Sequence, residues 1–152
     1  MLFIVIVGLS GLGAIAGIAK TYVDTAPVLD IAKIDDQAQT SFFYDRDKNL
    51  ITDYKGTENR IMVSIDTMPH ILRDAFVAAE DVRFYTHSGV DVKRIVGAFV
   101  TNFISGSQQG GSTITQQLIK NTLLSSEQSY KRKIQEAYLA MQLEASYSKE
   151  EI

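Results

Sequence analysis

The run from residue 80 to residue 89 holds the side chains best suited to acid–base chemistry. It contains Glu80, Asp81, Arg83, Phe84 and His87. A glutamate held within hydrogen-bond distance of a sugar hydroxyl can act as a general base and remove its proton. The alternative is an exposed acidic helix end, where an Asp81–Arg83 ion pair would add little stability. A single histidine such as His87 is more often structural than a ligand or an acid–base group.

A second polar run, residues 110–121, follows closely. It contains Ser112, Thr113, Thr115, Gln116, Gln117, Lys120 and Asn121. Positions 113, 116, 117 and 120 share one face of a helix, which predicts a surface of hydroxyl, amide and ammonium donors. Ser112 is the predicted N-cap of this helix. Because helix N-termini favour anions, this end is a candidate pyrophosphate site. The alternative is a solvated face with a polar cap.

Glu136 differs from the other acidic residues because its helical neighbours are apolar. Leu139, Ala140 and Leu143 lie on the same face, and Arg132 lies one turn earlier, where it can form an ion pair with Glu136. The basic residues 131–133 adjoin it. Glu136 is therefore either a paired structural ion or a functional group, and the basic cluster of residues 131–133 beside it is either a solvated helix start or a second anion site.

Hydrophobic periodicity places these residues in a mainly helical chain with a small β element. The predicted helices run from Pro69 to Glu80, from Asp91 to Ile104, onward from Ser112, and from Tyr130 to Ser146. Alternation predicts strands at Ser41–Tyr44 and Leu50–Tyr54, with a weaker third strand over residues 61–65. The predicted buried stripe of the last helix comprises Ile134, Ala137, Tyr138 and Met141.

The chain has 152 residues, which is enough for about one domain, and no cysteine. Its net charge of -3 gives no basic field of the kind that nucleic-acid-binding proteins use, so no nucleic-acid partner is expected. Residues 1–19 carry no charged side chain, and as a helix they would span roughly 28 Å. We predict a transmembrane anchor there; the alternative is a cleaved signal peptide.

The predicted organisation is an anchor over residues 1–19, a juxtamembrane linker over 20–40, and a catalytic domain over 41–152. Ser148 and Glu151 have the spacing of a capping box, which announces a new helix at the end of the chain. We therefore expect a C-terminally truncated domain that folds incompletely and is inactive alone.

Three motifs in order closely resemble the signatures of the family-51 glycosyltransferases, the peptidoglycan polymerases. These enzymes form the N-terminal half of class A penicillin-binding proteins and also occur as monofunctional enzymes. The motifs are Glu80-Asp-x-x-Phe84-x-x-His87-x-Gly89, Gly111-Ser-Thr-x-Thr-Gln-Gln-x-x-Lys120-Asn121 and Arg132-Lys133-x-x-Glu136. The resemblance covers about residues 40 to 152. It implies a mainly α, lysozyme-like domain at the outer face of the bacterial cell membrane.

The resemblance also implies roles for individual residues. Glu80 would be the general base that deprotonates the acceptor sugar of lipid II, with inversion at the donor and release of undecaprenyl pyrophosphate. Glu136 would help to hold the pyrophosphate, through a divalent cation such as Mg²⁺ or Mn²⁺. The implied substrate-binding residues are Asp81, Phe84, His87, Ser112, Thr113, Thr115, Gln116, Gln117, Lys120, Asn121, Arg132 and Lys133. The implied partners are lipid II, the growing glycan strand, and a homo-oligomer or cell-wall synthesis complex.

Two other functions compete with polymerisation. A lysozyme-like hydrolase would cleave glycan with a glutamate acid, and a membrane-anchored helical scaffold would do no chemistry. The polymerase interpretation makes a geometric prediction, since Glu80 and Glu136 should open onto one cleft. Because sugar and pyrophosphate must fit between them, we expect the carboxyls at least ~6.5–9.5 Å apart, the separation in inverting glycosidases.

Overall fold

A computed structural model describes residues 1–35, 39–54, 60–106, 110–125 and 127–152, with the side chains of residues 2–9, 12 and 35 left out. Within these ranges the chain is mainly helical with one two-stranded sheet. The elements in order are α1 (Leu2–Asp24), α2 (Ile31–Asp35), β1 (Ser41–Tyr44), β2 (Leu50–Tyr54), α3 (His70–Glu80), α4 (Val92–Ser105), α5 (Ile114–Thr122) and α6 (Tyr130–Ser146).

The N-terminal helix α1 includes the predicted anchor and continues to Asp24. Several side chains of the predicted anchor, residues 2–9 and 12, lie outside the described part. Within that part, no helix combines the length and apolar character that crossing a membrane requires. The segment predicted as a linker contains α2, and its Leu29, Ile31 and Ile34 pack against the core.

The small sheet confirms the two stronger strand predictions. β1 and β2 pair antiparallel, with Ser41 opposite Tyr54 and a register shift between Phe43 and Tyr44. Asp45 closes the turn by accepting the backbone amides of Asp47 and Asn49, each at 2.8 Å. The third strand predicted over residues 61–65 is wrong: residues 61–64 belong to no helix or strand, and a 3₁₀ helix capped by Ser64 begins at Ile65.

The core lies between α5 and α6. It consists of Ile119, Leu139, Ala140 and Leu143, all buried. The bounds predicted for α6 are confirmed, and its predicted stripe is confirmed only in part: Ile134, Ala137 and Tyr138 are half-buried and Met141 is 48% exposed. The fully buried face includes Gln135 and Glu136. Apolar residues occur all around this helix, so hydrophobicity alone does not select the face that packs on α5.

The helices before the core contribute little to it. α3 has no buried residue, and α4 buries only Ala98. Both nevertheless have the predicted helical spacing, and Asp91 caps α4 as an N-cap residue should. These two helices therefore contribute chiefly through residues at their ends, Glu80 at the end of α3 and Asp91 at the start of α4.

Gly89 is where the loop after α3 meets α6. Its φ of 89° lies in the left-handed region, and a Cβ there would stand 2.7 Å from backbone atoms of Ala140 and Met141. Gly106 has a similar φ of 64° but nothing within 4 Å of a Cβ. Close contact, and not φ alone, makes a glycine necessary at position 89.

We predict that Gly89→Ala destabilises the fold by several times the cost of Gly106→Ala. The second substitution bears only the left-handed strain, about 1–2 kcal/mol, while the first must also move helix backbone. Chemical unfolding of both variants measures the difference. Equal losses of stability in the two variants would show that the close approach of Gly89 to α6 does not require a glycine.

Candidate functional site

Glu80 is the last residue of α3, as the sequence predicted, and it is half-buried. Its Oε2 accepts a hydrogen bond from Gln117 Nε2 at 2.7 Å, which joins the ends of α3 and α5. The guanidinium of Arg94 donates to the Glu80 backbone carbonyl. The carboxylate is thus oriented by an amide and reaches solvent, an arrangement suited to accepting a proton.

Asp81, the next residue, is only 1% exposed and is tied to several partners. Its Oδ2 lies 2.8 Å from His87 Nε2 and accepts the Ile114 backbone amide at 3.1 Å. Arg94 lies 3.8 Å from Oδ1. A buried carboxylate is costly unless it is paired and hydrogen-bonded. These partners fix the backbone beside Glu80 against the start of α5.

The N-terminus of α5 is closed by a capping box. Thr113 Oγ1 accepts the Gln116 amide at 3.1 Å, and Gln116 Oε1 accepts the Thr113 amide at 3.0 Å. The prediction of Ser112 as N-cap is therefore wrong by one residue. Two amides of this terminus, those of Ile114 and Gln116, already donate to protein oxygens, and the anion site predicted here stays a prediction.

Glu136 is fully buried, and its partner is Lys133. The Lys133 ammonium donates to Glu136 Oε1 and to Ser112 Oγ, each at 2.5 Å. The predicted ion pair of Glu136 was with Arg132; the i,i+3 pair with Lys133 occurs instead. The expectation that Glu136 opens onto a cleft is wrong, since the solvent-facing group here is Lys133, whose side chain is 46% exposed.

Five of the implied substrate-binding residues are in the interior. They are Asp81, Phe84, Thr113, Thr115 and Gln116, each no more than 4% exposed. Their side chains contact other parts of the protein, as when Thr113 Oγ1 donates to the Gly89 carbonyl at 2.6 Å. These five side chains are therefore engaged with the protein itself in this arrangement, and their contact with substrate stays a prediction.

Most of the remaining implied residues are closer to the surface, but the His87 side chain is only 7% exposed. Ser112, Gln117, Lys120 and Arg132 are half-buried and Asn121 is exposed. Gln117 contacts Glu80, while Lys120 and Asn121 lie one turn further along α5. The structure therefore joins Gln117 to Glu80 and Lys133 to Glu136.

Sequence reasoning missed two residues that hold the site. Arg94 reaches both the Glu80 carbonyl and Asp81 from α4, and Glu144 accepts the Thr115 hydroxyl from α6. Neither belongs to a motif identified above. One weak indication of Arg94 in the sequence is its position three residues after the N-cap Asp91. The Asp91 carboxylate accepts the Arg94 amide at 2.9 Å.

The surroundings of Glu136 bear on the implied divalent cation. Glu136 Oε1 contacts the Lys133 ammonium, whose charge would repel a cation bound beside that oxygen. Glu136 Oε2 is buried and has no hydrogen-bond partner among the described residues. Across the described ranges no three His, Asp or Glu side chains gather as the ligands of a metal held by protein alone would. A cation held between Glu136 and substrate phosphates stays a prediction.

Comparison with known proteins gives a consistent result. A family model described as Transglycosylase matches residues 47–152. Penicillin-binding protein 1A/1B of Bacillus subtilis (strain 168) is 48% identical over 93% of this chain and 16% of its own length. Penicillin-binding protein 1A of Clostridium perfringens (strain 13 / Type A) is 42% identical over 98% of this chain and 23% of its own length. The chain thus spans less than a quarter of these curated relatives.

Asp91, which accepts the Arg94 backbone amide, also forms an ion pair with Arg83. Arg83 donates to Asp91 through Nε at 2.6 Å and through its terminal nitrogen at 3.0 Å. The Arg83 hydrogen bond, with help from the Arg94 amide, lowers the pKa of Asp91 despite its burial. Because the folded pKa is depressed, the stabilisation is present above the unfolded pKa of about 4 and is lost as pH falls through the folded value.

We predict that Asp91→Asn lowers the free energy of unfolding by about 1–3 kcal/mol at neutral pH. The variant should also lose part of the acid sensitivity, so the two stabilities converge as pH falls below about 4. Urea unfolding at several pH values tests this, with the exposed Asp74→Asn as control. A constant difference between wild type and Asp91→Asn at every pH would contradict it.

Proposed function

Because the chain belongs to the transglycosylase family, we propose that it carries the catalytic groups of a peptidoglycan glycosyltransferase. The observation that carries this proposal is the Glu80 carboxylate, held by Gln117 at 2.7 Å and half-open to solvent. A mainly helical chain with a small sheet is consistent with the lysozyme-like domain expected for this activity.

The proposed substrate is lipid II, a disaccharide-peptide carried on undecaprenyl pyrophosphate. Glu80 takes the proton of the acceptor's 4-hydroxyl as the oxygen forms a bond to the donor's anomeric carbon. The anomeric carbon–oxygen bond to pyrophosphate breaks, and the bonding electrons leave with the lipid pyrophosphate. The configuration at that carbon inverts. General-base assistance of this kind typically contributes ~10²–10⁴-fold.

The leaving group gains negative charge as the bond breaks, so a fixed cation stabilises the transition state more than the ground state. Lys133 is suited to this role because it is partly exposed and is held by Glu136 and Ser112 at 2.5 Å each. Buried Glu136 then acts on the reaction through Lys133, as a residue that positions the cation. Lys120 and Arg132 are further cations on the two helices that carry the site.

The base and the cation are both held from one short segment of chain. Ser112, which contacts Lys133, and Gln117, which contacts Glu80, are five positions apart in sequence. Their Cα atoms can therefore be at most roughly 18 Å apart. This shared segment supports a role for the two groups on one substrate.

The lipid on both substrates requires that the reaction take place at a membrane surface. We place the site at the outer face of the bacterial cell membrane, where the growing glycan strand is the second substrate. The names of the relatives, penicillin-binding proteins 1A and 1A/1B, support a function in cell-wall synthesis.

A lysozyme-like hydrolase remains the second candidate because it too needs a half-buried glutamate. The Lys133–Glu136–Ser112 group distinguishes the two, since glycan cleavage has no anionic leaving group. Release of undecaprenyl pyrophosphate from lipid II supports the polymerase, and release of fragments from finished sacculi supports the hydrolase.

We predict that Glu80→Gln lowers glycosyl transfer at least ~100-fold, because it removes the base and keeps the shape. Turnover of lipid II by the chain, and by a longer protein that carries it, provides the measurement. Glu150→Gln, an exposed substitution, serves as the control and should leave turnover unchanged. Wild-type turnover by a folded Glu80→Gln variant would rule out Glu80 as the base.

We also predict that Lys133→Met lowers kcat by about 10²–10³-fold, the effect of removing one donor aimed at developing charge. The accompanying rise in KM should be smaller. Lys131→Met removes an exposed lysine two positions away and is the matched control. Equal effects of the two substitutions would mean that only general positive charge matters.

A further inference from the structure

Glu144 on α6 is a buried carboxylate that the proposed reaction does not use. Its side chain is 3% exposed, and its two oxygens have different partners. Oε1 accepts the Thr115 hydroxyl at 2.5 Å, and Oε2 accepts the Lys149 ammonium at 2.6 Å. One carboxylate thus links α6 to the first turn of α5 and to the turn that follows α6.

His87 lies between Glu144 and Asp81. Its Nδ1 is 3.8 Å from Glu144 Oε1, and its Nε2 is 2.8 Å from Asp81 Oδ2. The imidazole is nearly enclosed, with a side chain 7% exposed. The ring is therefore hydrogen-bonded to Asp81, and it faces Glu144 across an ion-pair distance at which Nδ1 makes no hydrogen bond within the described part of the chain.

The Glu144–Lys149 ion pair also contacts the loop after Glu80, through the Phe84 ring. The Lys149 ammonium lies 4.4 Å from the centroid of the Phe84 ring while it pairs with Glu144. Phe84 is 4% exposed and begins the 3₁₀ turn between Asp81 and His87. A cation over an aromatic face in a desolvated place is worth more than at a surface.

We propose that Glu144 is a positioning residue for Glu80, an inference that rests on the proposed function. Two routes connect them. One runs through His87 and Asp81 to the backbone of Glu80. The other runs through Thr115 on α5. Gln117, two residues after Thr115, orients the Glu80 carboxylate. Loss of the negative charge at position 144 loosens both routes without touching substrate.

The most direct test uses the two histidines of the chain. Nitrogen-15 NMR of Glu144→Gln at constant pH should shift the imidazole signals of buried His87. The signals of His70, which is exposed on α3, should stay in place and serve as an internal control. Glu150→Gln should shift neither histidine. Unchanged His87 signals in a folded Glu144→Gln variant would overturn the proposal.

Kinetics provide a second test with a distinct signature. Glu144→Gln should lower kcat at least about tenfold and leave KM nearly unchanged, because the base is displaced and the binding groups are not. Thr115→Val, which removes the hydroxyl and keeps the shape, should lower kcat in the same way, while Thr115→Ser should restore it. Should Glu144→Gln fail to fold, this Thr115 pair decides the matter, and a Thr115→Val variant with wild-type kcat overturns the proposal.

The outcomes separate this inference from the function on which it rests. If wild type polymerises lipid II, Glu80→Gln abolishes turnover and Glu144→Gln keeps the wild-type kcat, the positioning role of Glu144 is excluded and the function stands. If wild type and Glu80→Gln are equally inactive while sacculi are cleaved, the proposed function fails, and with it the role of Glu144 in transfer.

Discussion

The arrangement depends on one buried carboxylate, that of Asp81. Without partners its charge would be costly in the interior, so it can be buried only where donors surround it. Its partners come from different parts of the chain: the Ile114 amide at the start of α5 and the His87 ring lie at hydrogen-bond distance, and the Arg94 guanidinium forms an ion pair at 3.8 Å. Because Asp81 follows Glu80 directly, satisfying one acid fixes the position of the other.

The division of labour between the acids follows from their burial. Glu80 keeps one side towards solvent and is oriented by an amide, whereas Asp81, Glu136 and Glu144 are enclosed and paired with cations or donors. Enclosed acids that already have partners are poorly placed to exchange protons with a substrate, but they can hold a lysine or an imidazole in place. The proposed chemistry accordingly uses one acid as a base and the others as supports.

The sequence predicted elements better than environments. The bounds of α6 and both strands of the sheet follow from hydrophobic periodicity, which depends only on neighbouring residues in the sequence. Which face of α6 is buried does not follow, because Gln135 is buried with a distant partner, the Tyr22 carbonyl at 3.0 Å. The cap at Thr113 did have a local signal, its spacing to Gln116. The burial of Asp81 and the role of Glu144 depend on tertiary contacts and had none.

Hydrogen exchange at the Ile114 amide reports on this arrangement, since that amide donates to Asp81 across the site. We expect strong protection in wild type and exchange at least about tenfold faster in Asp81→Asn, with protection in the core of α6 unchanged. Equal exchange at Ile114 in the two folded proteins would show that Asp81 does not fix the start of α5, and the proposed positioning of Glu80 would fail with it.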